Sequence, residues 1–107
     1  MKYLFSHIGI PTAEEKKWDG FYAPGKIHHT DFTKDEFGIE WIKCDADSPM
    51  PKMFREVPHV AYLVENIEEA LKDKNILVET FSPGAGVRVA FIVHNGAPVE
   101  FMEIKNP

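Results

Sequence analysis

Four side chains in this 107-residue chain stand inside apolar runs where a charge or an imidazole needs a reason: His7 in F-S-H-I-G, Glu40 in G-I-E-W-I, His59 in P-H-V-A-Y and Glu100 in P-V-E-F-M. Side chains of an extended strand alternate between faces, so each of these points where its i±2 neighbours point. Those neighbours are Gly38 and Ile42 for Glu40, Val57 and Ala61 for His59, and Pro98 and Met102 for Glu100. A carboxylate among such groups must find a partner. Two imidazoles and two carboxylates brought together form a two-nitrogen, two-oxygen donor set of charge −2, which a divalent cation neutralises. His7, Glu40, His59 and Glu100 are therefore the candidate metal ligands. Taken singly, a strand histidine is more often a hydrogen-bonded core residue and a strand glutamate an edge residue.

An internal repeat joins the four. S-H-I-G-I-P-T-A-E-E-K-K aligns with P-H-V-A-Y-L-V-E-N-I-E-E-A-L-K-D-K, and F-G-I-E-W-I-K with A-P-V-E-F-M-E-I-K. Each half opens on a strand with one histidine, continues through an acidic-then-basic segment, and closes on a strand of form aliphatic-Glu-aromatic. The histidines are 52 positions apart and the glutamates 60, so the second half carries about one additional short element.

The elements that must position these residues follow from local pattern. Residues 2–10 alternate as a strand, with Tyr3, Phe5, His7 and Gly9 on one face and Leu4, Ser6, Ile8 and Ile10 on the other, ending at Pro11. Thr12 to Trp18 reads as a short helical turn capped by Thr12. Trp18 to Gly25 is an aromatic loop, a plug over the core in preference to a lid over a pocket. Two strands follow around a polar turn, Lys26–Phe32 and Ile39–Asp45. The Pro/Met-rich run 47–54 is a connection without periodicity. A strand at 58–64, a helix at 65–74 with Asn66 as cap and Glu69 three residues on, and a strand at 75–81 lead through the turn S-P-G-A-G to a closing hairpin, Val87 to Ile104, with Asn95-Gly96 at its centre. Other titratable groups are set aside. His28 and His29 point to opposite faces, His94 is a turn residue, Glu103 faces away from Glu100, and Cys44 is packing.

Composition narrows the class. The length suits one domain. A net charge of −5 with Arg55 and Arg88 as the only arginines offers no basic stripe for nucleic acid. No run of about 18 apolar residues is present to span a membrane. One cysteine and the absence of an export signal point to a reducing, cytoplasmic setting.

The segments H-V-A-Y-L-V-E-N-I-E-E-A-L and R-V-A-F-I-V-H-N-G-A-P-V-E-F-M-E resemble the second module of the vicinal-oxygen-chelate superfamily, which includes glyoxalase I, fosfomycin- and bleomycin-resistance proteins, extradiol dioxygenases and methylmalonyl-CoA epimerase. The resemblance implies an α+β fold of paired βαβββ modules, the first abbreviated, forming an open cup-shaped mixed β-sheet with few helices. Module 1 would span about 1–47, the linker about 48–56 and module 2 about 57–107. The family's ligand positions fall on His7, Glu40, His59 and Glu100, a pattern nearest the glyoxalase I-like proteins, with Ni, Co, Zn or Mn as the ion. The implied activity is that of a lyase or isomerase acting on a small substrate with adjacent oxygens, in which proton abstraction gives a metal-stabilised enediolate. Glu100 is the favoured base and Glu40 the other catalytic carboxylate. A metal-free small-molecule binder and an Fe(II) dioxygenase using His7, His59 and Glu100 are the alternatives. Glutathione-dependent members carry an arginine just after the first histidine, where this chain has Ile8-Gly9-Ile10-Pro11, and an asparagine where it has Cys44. Family members often share modules between chains, and the short Ser48–Phe54 connection favours a homodimer.

Overall fold

The closing hairpin forms around the turn that its composition demands. Asn95 and Gly96 both adopt positive φ, +50° and +77°, the two left-handed residues of a tight hairpin turn. They join β7 (Val87–His94) to β8 (Ala97–Ile104) in unbroken antiparallel register from His94↔Ala97 to Val87↔Ile104. The computed structural model describes residues 1–105; Asn106 and Pro107, which the sequence reading placed in the second half, lie outside the described residues.

Around this hairpin the chain builds one eight-stranded mixed sheet of order β2-β3-β4-β1-β5-β8-β7-β6. β8 runs parallel to β5 (His59–Leu63), β5 antiparallel to β1 (Leu4–Pro11), and β1 parallel to β4 (Ile39–Cys44). The outer strands are β3 (Ile27–His29) and β2 (Gly20–Tyr22) on one side and β6 (Asn75–Gly84) on the other. The sheet curls until its ends meet, and the Tyr22 ring of β2 stacks on Phe81 of β6 with centroids 4.9 Å apart. This is the cup-like α+β architecture with few helices that the resemblance implied.

Two cores lie on opposite sides of the sheet. Ile27, Ile42, Phe54, Ala61, Val89, Phe91 and Met102 pack inside the cup. Val64, Ile67, Ala70, Ala90, Ile92 and Phe101 pack on the convex side beneath α2 (Ile67–Leu71). A five-residue helix has no stability of its own. α2 is held by burial of Ile67 and Ala70 and by the Asn66 side chain, which accepts from the Glu69 amide at 2.9 Å. Glu103 belongs to this convex side, accepting from the Ile67 amide at 3.0 Å and from the Arg88 guanidinium. Its separation from Glu100 onto the other face is as the alternation of β8 requires.

Several elements differ from the sequence reading. Thr12–Trp18 is not helical. The Thr12 amide extends the ladder by donating to the Ile42 carbonyl, Lys43 pairs with Glu15, and Lys16 lies over the Trp41 ring, so the segment is drawn along β4. A seven-residue run without a buried face cannot nucleate a helix against those contacts. The aromatic loop is an edge strand, β2, followed by a 3₁₀ turn at Ala23–Gly25. The linker contains a helix, α1 (Lys52–Glu56), whose Phe54 is buried. The helix expected over 65–74 keeps its cap but leaves helical geometry at Lys72, and β6 runs on through Ser82, Pro83 and Gly84 so that only Ala85 and Gly86 turn.

β1 departs in a way that matters for the site. Its register against β5 shifts between Phe5 and His7, a bulge at Ser6. Tyr3 stacks on Phe101 and Phe5 meets Tyr62 edge-on, both on the convex side, while His7 and Gly9 face the cup. The expected sharing of one face by Tyr3, Phe5, His7 and Gly9 therefore fails at Ser6, because a bulge resets the alternation. Among the described residues no helix is long and apolar enough to cross a membrane.

The hairpin turn gives a clean test of the fold. Nothing lies within 4 Å of a Cβ built on Gly96, so Gly96→Val carries only the conformational cost of a left-handed, β-branched residue. Urea denaturation is expected to show a loss of about 1–2 kcal/mol, with Gly96→Asn close to wild type.

Candidate metal centre

The four residues singled out from the sequence converge inside the cup, each offering one donor atom, all within 4.8 Å of one another. Strand register explains how. Gly9 of β1 lies between Glu40 of β4 and His59 of β5. Ala61 of β5 lies between His7 of β1 and Glu100 of β8. The sheet thus presents two adjacent rows, Glu40–Gly9–His59 and His7–Ala61–Glu100, each with a small residue flanked by two donors. The small residues make the space. A Cβ on Gly9 would lie 2.2 Å from Cε1 and 2.4 Å from Nε2 of His59, so the imidazole occupies the volume a side chain would take.

Each imidazole is oriented differently. His7 stacks on Phe32, centroids 4.0 Å apart, and its Nδ1 lies 3.0 Å from the Ser6 hydroxyl. That hydroxyl donates to the Met102 sulfur at 3.8 Å, so it accepts from Nδ1–H and leaves Nε2 as the nitrogen that changes state. Nε2 of His7 is buried without a hydrogen-bond partner, 3.6 Å from Glu100 and 3.7 Å from Glu40. His59 is clamped by aromatic rings, Phe91 edge-on at 4.9 Å and Phe54 of α1 at 6.1 Å. Its Nε2 donates to Glu100 Oε1 at 3.0 Å.

The electrostatics follow from this crowding. Burial pushes the His7 pKa down, but Glu100 and Glu40 together overcome it and raise it from 6.5 to about 9. Burial likewise pushes Glu100 up, and the two imidazoles hold it below the usual carboxylate range. The metal-free centre therefore carries a cationic His7 between two carboxylates.

The donor set fits a divalent ion. Separations of 3.0, 3.6 and 3.7 Å between nitrogen and oxygen donors match atoms sharing a centre with bonds of about 2.1 Å. A bound ion would take up His7 Nε2, a buried nitrogen with no hydrogen-bond partner. Two neutral imidazoles and two carboxylates suit borderline metals with both nitrogen and oxygen preference.

Above the centre lies a cavity of about 130 Å³, lined by all four residues and by apolar side chains of the cup. His29 and Tyr22 also line it, and sequence reasoning passed over His29 by pairing it with His28. The two do face opposite sides. His28 turns away to Asp45 at 2.8 Å and to the Phe21 ring. The signal for His29 was its alternation with Ile27, a core residue, and with Gly20 across the strand pair, where a Cβ would lie 2.5 Å from the imidazole. Cys44 packs against the inner core, partly buried, and is not among the grouped donors. His94 is exposed at the hairpin turn.

No family model matches the chain, and no similar protein was found among curated ones. Among solved structures it is similar to hypothetical protein BH1468 from Bacillus halodurans C-125, with a TM-score of 0.67 and 23% identity over 100% of this chain and 98% of that one. That similarity concerns the fold.

Two outcomes follow. In Gly9→Ala the new methyl group claims volume that the His59 ring fills and pushes that imidazole out of place, so zinc affinity measured by calorimetry is expected to fall at least about tenfold while circular dichroism stays native. For the metal-free protein, a His7 pKa raised to about 9 stabilises the fold fully below pH 6.5 and loses that contribution as pH rises through 9. The urea midpoint of wild type should decline across that window, and His7→Gln should abolish the decline.

Proposed function

We propose that this chain is a divalent-metal-dependent isomerase or lyase of the vicinal-oxygen-chelate type, acting on a small substrate with adjacent oxygens. The observation that carries the reading is the pair of rows Glu40–Gly9–His59 and His7–Ala61–Glu100, which exchange into one another when the two halves of the chain are exchanged. Strand order supports the same reading of the halves as paired modules. From the centre outward it runs β1, β4, β3, β2 in one half and β5, β8, β7, β6 in the other. The second half holds a helix between its first two strands, the first half none among the described residues, which agrees with an abbreviated module.

In this reading His7, His59, Glu40 and Glu100 hold the ion, and the ion supplies Lewis acidity toward a carbonyl oxygen of the substrate. The protein's own groups then differ in what they can do. Glu100 is buried and engaged by both imidazoles, so it anchors. Glu40 has a side chain 21% exposed, lines the cavity and meets only His7, so it is the carboxylate with freedom to take a proton from the hydroxyl-bearing carbon beside that carbonyl and return it to the former carbonyl carbon, the hydroxyl proton passing to the former carbonyl oxygen. This moves the proton-transfer role from Glu100, which the sequence reading favoured, to Glu40. His29 lines the cavity as a further imidazole able to accept or donate a hydrogen bond to bound substrate.

Metal analysis and titration with Ni²⁺, Co²⁺, Zn²⁺ and Mn²⁺ decide the reading. One ion per chain is expected, with Glu40→Gln and Glu100→Gln each weakening binding by at least about tenfold. Retention of full affinity in Glu40→Gln with loss in Glu100→Gln points instead to a three-residue iron site. Absence of binding below millimolar concentration by every metal sinks the proposal and leaves a metal-free binder. The homodimer belongs to the same proposal, and since the four donors meet within one chain, mass by light scattering tests it independently of metal content.

A further inference from the structure

Resting on the metal reading above, we infer that the cavity takes a small uncharged molecule whose body is one apolar ring, and that it rejects anionic substituents on that body. Size is the first ground. The cavity of about 130 Å³ is close to the roughly 150 Å³ of a dry apolar cavity that accepts benzene.

The walls are the second. Phe32, Phe54, Phe81, Phe91, Val89 and Met102 face the space from both halves of the cup. A ring placed among them gains burial on every side and can meet aromatic edges and faces. Tyr22 and His29 are the polar wall groups outside the four donors, each able to form a hydrogen bond to a hydroxyl or carbonyl.

Charge is the third. Among the described residues no lysine or arginine lines the cavity. Arg88 is committed on the convex side to Glu68 and Glu103, and Arg55 donates its Nε to the Met50 carbonyl beside a separate depression. Two carboxylates and a divalent ion sum to zero, and without an ion the two carboxylates make the centre an acceptor and not a donor of positive charge. The lining therefore offers no side-chain ammonium or guanidinium to a phosphate or a pendant carboxylate. Such an anion would lose water, gain no partner and face Glu40. A substrate here binds by its two adjacent oxygens at the centre and its ring against the walls. A large peptide conjugate carrying two carboxylates, such as one of glutathione, fits neither the volume nor the lining.

The test has two arms. With zinc-loaded protein, calorimetry compares benzohydroxamic acid, acetohydroxamic acid and 4-carboxybenzohydroxamic acid, which share one chelating group. The aryl compound is expected to bind at least about tenfold more tightly than either of the others. Binding of the carboxylated compound within about twofold of its parent, or equality of the acetyl and aryl compounds, overturns the inference. With metal-free protein, benzyl alcohol is expected to shift the methyl resonances of Val89 and Met102, and benzoate at equal concentration to leave them in place. No shift with benzyl alcohol, or an equal shift with benzoate, overturns it as well. Equal affinity of benzohydroxamic acid with and without zinc would count against the metal reading alone, and the metal-free arm decides the cavity assignment even if no metal binds.

Discussion

A carboxylate sealed in an apolar cup is the constraint to which the inner face answers. Glu100 is 6% exposed, between Pro98 and Met102 on its own strand and opposite Ala61 on the next. An unpaired anion there would be untenable, and both histidines are recruited to it from strands of the two halves. Glu40 adds a second negative charge that the imidazoles alone cannot balance when both are neutral. The cup is thus an apolar shell around two carboxylates, a charge that a divalent cation would balance.

The backbone does as much as the donors. Parallel and antiparallel pairings alternate across β4, β1, β5 and β8, and that alternation sets Gly9 and Ala61 side by side between four long side chains. Glu103 shows the contrast three residues on from Glu100. It is as deeply buried, but it faces the other side, where the Ile67 amide and Arg88 satisfy it completely. One strand therefore carries an acid that fastens a helix and an acid that shapes a cavity.

The closing hairpin and the four side chains that converge in the cup were legible because each rests on short-range rules: an Asn-Gly turn, period-two alternation, and acids inside apolar runs. What escaped depended on contacts distant in sequence. Thr12–Trp18 has helical composition, but β4 captures it. The connection before β5 has no periodicity to read, since α1 is a single turn defined by where Phe54 must reach, the His59 ring. The bulge at Ser6 inserts no glycine or proline to announce it. His29 stayed hidden because its partner across the strands is Gly20, and an absent side chain leaves no mark in a pattern of hydrophobicity.

β6 carries one further consequence. It is ten residues long and ends the sheet, so among the described residues one side of its backbone lacks a strand neighbour. Its register against β7 shifts three times, Pro83 removes an amide near its end, and Glu79 projects to solvent. An incoming strand from another molecule would find no continuous ladder and would bury a charge. The irregularity that sequence periodicity could not describe acts as a guard against edge-to-edge assembly, keeping the longest strand of the cup from seeding an intermolecular sheet.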